Sequence, residues 1–480
     1  MAGPALSERS ESKGPIDTWH ALVGNDAAAM ERLCVELAGR MRERRLTFGG
    51  RLLCPFLRPF FLEPSDEARV ARAAEALWRM GESVARAALE DRSLLDDLGL
   101  SEAERRLATI DPGYATISTA ARADAFLLPD SLQFAEYNAE SPAGAGYSEG
   151  LAGVFSDTPV MRRFDDAFEA RMYRPVAALL DALVESYREW GGTASPPRIA
   201  IVDWREVPTW SEFELLRDAF VARGVPTVVC DPGELTLERG VLRAGGAAVD
   251  LVYRRVLIND IVSRSDECRT LVAAYEQRAA CVANTLRCKI PHKKAFFAVL
   301  TDERRASLFS PDERAIIGSH VPWTVVVRET TVHRDGRALD LVPYLRAHRD
   351  RLVIKPNDEY GGSGVTLGWE TGEKDWDAAI ARALADPAGW VAQERIAVRR
   401  ETFPVCADGR VEMRDMLVDF APYIFRGRLA GFLTRLSATG LANVTSGGGQ
   451  VPAFLVTEKL RRDAQTSEPR SREDAKSKIR

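Results

Sequence analysis

Between Asp17 and about Leu98, apolar residues return every three or four positions, with alanine, leucine, glutamate and arginine as the recurring types. That spacing predicts helices, interrupted by the proline-rich stretch from Cys54 to Pro64. The period changes to two near 122–128 and 132–138, which read as short strands, and a second helical stretch follows over roughly 160–189. Gly191-Gly192-Thr193-Ala194-Ser195-Pro196-Pro197 then reads as a linker.

Beyond it, Arg198-Ile199-Ala200-Ile201-Val202-Asp203 is a short apolar strand and 211–223 a helix opened by Ser211. A second strand at 225–230, then a loop and hairpin, lead to a further strand at 249–256. Strands alternating with helices predict a small parallel α/β unit. No GxGxxG follows its first strand, so it is not read as a dinucleotide site. From 284 to 456, helices near Lys294 and at 374–385 alternate with strands near Leu352, Val365, Val391, Met413 and Leu429. The charged end is expected to be a disordered tail. The chain thus divides into a mostly helical region 1–110, a hairpin-bearing segment 111–195, an α/β unit 196–283, a mixed segment 284–456 and a tail 457–480. The expected class is α/β (α+β).

A chain of 480 residues is too long for one simple core. Its net charge of -5 argues against a protein built around nucleic acid. Seven scattered cysteines without a CxxC pair, and only five histidines, point to free thiols in a reducing compartment instead of a disulfide framework or zinc site. No apolar run approaches 18 residues and the stretch from Met1 to Pro15 has no signal core, so a cytoplasmic protein without a membrane span is expected. Asn443-Val444-Thr445 fits a glycosylation pattern that has no consequence without secretion.

A turn centred near Asp130 sets position i opposite position 260 minus i, so Asp124 faces Glu136 and Arg122 faces Asn138. Alternation puts all four on one face, with opposed residues about 5 Å apart. Two facing carboxylates repel unless a cation lies between them. Magnesium takes oxygen ligands, and Asp124, Glu136 and the Asn138 amide form such a set, with Arg122 beside it to meet a phosphate. A surface hairpin with ordinary charges is the plainer reading.

Arg351-Leu352-Val353-Ile354-Lys355 is a strand ending in a lysine, and Gly361-Gly362-Ser363-Gly364 leads from it into a return strand. Small residues let backbone N–H groups approach anionic oxygens. The loop lies between strands and is therefore read as a flap over phosphates, not a Walker loop. A flexible hairpin loop is the alternative. Lys289, Lys293 and Lys294 offer a further cation on a helix, and Gln393, Glu394 and Ile396 end a strand where an adenine edge could bond. Arg435 closes a later strand as a phosphate or carboxylate clamp, and Asn443 to Gly449 forms a second small-residue loop.

In order and spacing these pieces resemble the circularly permuted ATP-grasp proteins, in particular the synthetase domain of glutathionylspermidine synthase. That family carries R-x-D, then E-x-N about a dozen residues on, then a helix lysine and an I-K-P strand before a glycine-rich loop. Here Arg122-Ala123-Asp124, Glu136-Tyr137-Asn138, Lys294 and Ile354-Lys355-Pro356 stand in that order, over roughly 110–455. The resemblance implies a permuted ATP-grasp fold using ATP and magnesium, with two ions. Asp124, Glu136 and Asn138 would hold metal, Lys294 and Lys355 phosphates, and Arg122 the acyl-phosphate. The implied reaction joins a small-molecule or peptide carboxylate to an amine acceptor. A phosphotransferase on the same scaffold and a non-catalytic nucleotide-binding protein remain open. Two departures stand out: Glu140-Ser141-Pro142 replaces the family's D-T-P, and Asn357-Asp358-Glu359-Tyr360 is more acidic than usual. An upstream amidase domain with a Cys/His pair, which accompanies the synthetase in some members, is not expected.

Overall fold

The computed structural model describes residues 14–24, 27–359, 361–407, 410–438 and 448–459. Its spine is the strand Arg410–Phe425, 16 residues long. The first half alternates charged with apolar residues and is largely exposed; the second, from Met416, is apolar and buried on both faces. Arg428–Ser437 lies along one edge of this strand, and Arg399–Ala407 pairs with its exposed end. The other edge of the buried half takes Ala120–Leu127, with Tyr423 opposite Arg122. Leu132–Asn138 completes that side of the sheet. Strands from the two ends of the chain therefore share one sheet.

A second, antiparallel sheet is ordered Thr324–Val326, Trp390–Glu394, Leu352–Pro356, Thr366–Leu367. It is backed by the helices Leu341–Ala347 and Glu373–Ala385, whose fully buried Trp376 anchors a core of its own. A third sheet is parallel, ordered Cys281–Ala283, Leu251–Arg254, Ile199–Val202, Thr227–Cys230. The residues read as a linker form the irregular entry to it.

Three features depart from the expected pattern. Phe60–Leu62, in the proline-rich interruption for which no strand was expected, and Phe168–Met172, within a stretch read as helical, are strands flanking Ala453–Glu458 in a three-stranded sheet. Phe168-Glu169-Ala170-Arg171-Met172 does alternate apolar with charged positions, but five residues between two helices are masked by their neighbours' period. Thr457 and Glu458, assigned to the tail, end that strand; residues 460–480 lie outside the described residues. Cys34 and Cys406 are joined in a disulfide with Cα atoms 6.2 Å apart, tying the helix Ala27–Glu43 to Arg399–Ala407. Free thiols were expected for all seven cysteines; five remain so, and all five are buried. A pairing across 372 positions leaves no trace in local spacing. Among the described residues no helix is long and apolar enough to cross a membrane.

The helix Pro64–Glu90 packs against the hairpin, and Gly81 permits the close approach, since a Cβ there would lie 3.1 Å from the Tyr137 ring. Asn284, just after Cys281–Ala283, pins the hairpin to the parallel sheet. Its Oδ1 accepts from Ala120 N–H, and its Nδ2 donates to the carbonyls of Ala120, Ala139 and Glu140 at 2.7–3.0 Å. Asn284→Leu strands these buried backbone groups, each worth about 1–3 kcal/mol when unpaired. The expected loss is at least about 2 kcal/mol in urea unfolding; a loss under about 0.5 kcal/mol would refute the pinning role.

Candidate functional site

Between the first two sheets lies a cavity of about 200 Å³. Asp124 and Glu136 border it from the hairpin, Lys294 from the start of the helix Ala295–Thr301, and Lys355 from the strand Leu352–Pro356. Gly361, Gly362 and Ser363 cover it from the flap. Gln393, Glu394 and Ile396 close one end, and Arg435 the other. Gly361, Gly362 and Gly364 all have φ near +70°, a conformation that excludes most side chains. Gly364 shapes the turn without lining the cavity; a Cβ there would come within 2.7 Å of Pro356 Cγ. Tyr360 and Asn443-Val444-Thr445 lie outside the described residues.

The hairpin register is Arg122 opposite Asn138, Ala123 opposite Tyr137 and Asp124 opposite Glu136. It then shifts by one, so Ala125 meets Phe134 and Ala135 is left as a bulge. The freed Ala135 carbonyl accepts a 2.8 Å bond from Lys355 Nζ, which also donates to Gln393 Oε1 at 2.8 Å. Gln393 Nε2 in turn donates to Thr324 Oγ1 at 3.0 Å, and Glu394 pairs with Arg334. Both side chains expected to face adenine are therefore engaged within the protein.

Charge in the cavity is balanced internally. Arg122 Nε donates to Asp124 at 2.7 Å, and Arg435 bridges Asp124 and Asp419. Burial opposes ionisation of Asp124, but the two guanidinium groups hold it well below the ordinary carboxylate range. Glu136 is also depressed: burial works against it, and Lys294, 3.4 Å away, outweighs this. Asn138 Nδ2 donates to Glu136 at 3.1 Å. Lys294 Nζ also donates to Glu359 O at 2.6 Å. Burial pulls Lys355 down to about 7, with Lys294 adding to the effect and Glu136 opposing it.

Lys289 and Lys293 do not reach the cavity. They form a buried cluster in which Lys289 pairs with Glu140 at 3.2 Å and Asp358 at 2.7 Å, and Lys293 pairs with Glu104 at 2.9 Å and Asp358 at 2.7 Å. The lysines sit on a short helix, Lys289–His292, and the break after it, and their partners differ from those of Lys294, which meets Glu136 and Glu359 O. Two acids that set this sequence apart, Glu140 and Asp358, thus neutralise these two lysines.

Asp419 was not anticipated. It is 1% exposed, lines the cavity and leaves Oδ1 without a partner; burial raises it to about 7 against the pull of Arg435. Its sequence signal is a lone carboxylate in the apolar run Leu417-Val418-Asp419-Phe420-Ala421. Apolar walls come from Val353, Val365, Leu367 and Val398, with Trp369 under the Arg395 guanidinium at 4.4 Å.

A second cavity of about 400 Å³ adjoins the first and shares Glu136, Gly361 and Arg435 with it. Arg122 and Asn138 line this one, together with residues of the parallel sheet. Among the described residues no group of three His, Cys, Asp or Glu side chains is close enough to hold a metal; the hairpin supplies two carboxylates and an amide.

Two antiparallel layers closing on a cavity lined by lysines, acids and a glycine flap define a nucleotide clamp of the ATP-grasp class, with the acidic hairpin ahead of the flap in the chain. The chain belongs to the circularly permuted ATP-grasp type 2 family, which matches residues 127–444. It is 25% identical over 296 residues to "Putative glutamate--cysteine ligase 2-2" of Frankia casuarinae, covering 58% of this chain and 32% of that one. It is 24% identical over 341 residues to the uncharacterized protein sll0335 of Synechocystis, covering 67% of this chain and 65% of that protein. The chain therefore spans from about a third to under two thirds of these relatives. Among solved structures, a glutathione synthetase-like effector from Globodera pallida, in its apo form, superimposes with a TM-score of 0.59 at 12% identity, covering 90% of this chain and 98% of that one. That likeness is one of fold.

Lys355 gives a pH test. With its proton lost above about pH 7, a polyphosphate arriving beside it restores the charge, so binding takes up a proton and weakens as pH rises. Calorimetric titration with metal-free ADP is expected to show affinity falling between pH 7 and 9, by up to about tenfold per unit. In Lys355→Arg the profile is expected to be flat; the same slope in that variant would remove Lys355 from the site.

Proposed function

We propose that the protein is an ATP- and magnesium-dependent carboxylate–amine ligase that works through an acyl-phosphate. The observation that carries this reading is the single cavity in which Asp124 and Glu136 meet Lys294, Lys355 and the glycine flap, although Lys355 and its hairpin contact are 220 residues apart in sequence. The residues fit the implied cofactors. Two carboxylates and the Asn138 amide are an oxygen donor set suited to magnesium. The depressed Lys355 and the cations beside Asp124 suit an anionic ligand. Because Gln393 and Glu394 are engaged, adenine recognition falls to the main chain near Ile396 and to the apolar walls around Val353 and Leu367.

Magnesium, two ions by family likeness, would neutralise phosphate charge and orient the γ-phosphoryl group. Lys294 and Lys355 hold the phosphates, and the flap excludes water from the reacting centre. The substrate carboxylate oxygen attacks the γ-phosphorus and ADP leaves. Arg122 and Arg435, where the two cavities meet, offset charge on the acyl-phosphate. A neutral amine then attacks the acyl carbon, phosphate leaves, and loss of the amine proton gives the amide. No enzyme nucleophile is required.

Hydroxylamine tests the intermediate, since it converts an acyl-phosphate into a hydroxamate. Incubation with ATP, magnesium and a panel of carboxylates is expected to release ADP and phosphate with a hydroxamate. A stable phosphorylated product would instead make the protein a phosphotransferase, and no turnover with any acceptor a binding protein. Asp124→Asn and Glu136→Gln, which remove charge with little change of shape, are expected to lower turnover at least about a thousandfold with the fold retained, although the cations they leave unpaired lower the unfolding midpoint, more so in Asp124→Asn. Full activity in both variants would end the metal assignment.

A further inference from the structure

Within the parallel sheet the direction of winding reverses between Ile199–Val202 and Leu251–Arg254. Thr227–Cys230 lies on one side of this pair and Cys281–Ala283 on the other. Open α/β sheets bind ligands in the crevice at the carboxyl ends of strands where the order reverses. The residues leaving those two strands are Asp203 and Arg255. Val202 is in register with Arg254, and Arg255 N–H donates to Val202 O at 2.9 Å, so the two stand side by side. Both are over nine-tenths buried and both line the second cavity, as does Asp260 on the helix Ile258–Ser263.

The other strong charges lining that cavity are paired: Glu140 and Asp358 with Lys289, Glu136 with Lys294, Arg122 and Arg435 with Asp124. Those at the strand ends are not matched in this way. The Asp203 carboxylate accepts its own neighbour's N–H, from Trp204 at 2.9 Å. Burial raises it to about 6, although Arg255 and that N–H pull the other way, and burial raises Asp260 as well. Arg255 donates through Nη1 to Pro142 O at 2.7 Å and Tyr253 Oη at 3.1 Å, yet its buried Nε has no partner. A cation with an unused donor, opposed at a distance by buried Glu212, thus stands beside Asp203, which in turn neighbours Asp260, and among the described residues neither of these two carboxylates is in an ion pair.

We propose that this crevice binds the zwitterionic α-amino-acid group of a substrate, Arg255 receiving its carboxylate and Asp203, with Asp260, its ammonium. The inference rests on the ligase reading for which end reacts: the rest of the substrate extends towards Glu136 and Arg435, where the nucleotide cavity opens. A ligand with only one of the two charges leaves either the acids or the guanidinium unmatched, so recognition requires both.

L-Glutamate, glutarate and 4-aminobutanoate separate the two requirements, since glutarate lacks the ammonium and 4-aminobutanoate the α-carboxylate. Each is titrated by calorimetry into the full chain saturated with magnesium-ADP. L-Glutamate is expected to bind at least tenfold more tightly than either of the others. Asp203→Asn is expected to erase its advantage over glutarate, and Arg255→Lys its advantage over 4-aminobutanoate, with magnesium-ADP affinity unchanged in both. Equal binding of glutamate and glutarate by the wild type, no glutamate binding, or an unchanged ratio in Asp203→Asn overturns the assignment. Failure of the wild type to bind magnesium-ADP strikes the ligase reading separately.

Discussion

Two carboxylates placed opposite each other in a hairpin repel, and most of the central architecture answers that repulsion. Asp124 is buried and Glu136 half-buried on the cavity side of a strand pair, where water screens them poorly. Arg122 comes from the same strand, Arg435 from a strand 311 residues further on, and Lys294 from the break before a helix. Each cation arrives on a different element, so the sheets and the helix must meet at one point for the hairpin to remain buried. Removing one member of such a set strands a charge, a larger penalty than the pair's own strength.

Much of this was visible in local patterns. The period-two runs around Asp124 and Glu136 fixed which side chains share a face, and the pairing 124 with 136 followed from the turn at Asp130. The lysine-ended strand before Gly361 was equally plain, because glycine clusters and β-branched runs are local signals. What escaped depends on partners far along the chain. Phe60–Leu62 is a strand only because Ala453–Glu458 lies beside it, and Cys34 is bonded only because Cys406 arrives there. The bulge at Ala135 could not be read either, since one extra residue in a strand has no compositional mark. Lys289 and Lys293 looked like phosphate ligands by residue type; burial against Glu104, Glu140 and Asp358 decides otherwise.

The acids that depart from the family pattern have a structural account. Asp358 lies just beyond the lysine-bearing strand and Glu140 just beyond the hairpin, and Lys289 bonds both. One buried ammonium therefore joins the root of the flap to the exit of the acidic hairpin. Burial alone would discharge it, but the three surrounding acids drive its pKa up instead. Two departures from the family pattern thus meet at a single side chain.

Asn284 gives the molecule a fixed half. Its bonds weld the first and last residues of the hairpin region to the parallel sheet, so the switch-point crevice and the acidic face form one piece. The flap sheet meets the hairpin where Lys355 Nζ donates to Ala135 O, and Asn357 ties it to Leu98 O by its side chain and to Lys294 N–H by its carbonyl. A molecule seated against Asp203 and Arg255 is thereby held by the same frame that carries Asp124 and Glu136, so its distance from the acids is set by Asn284 and not by the flap.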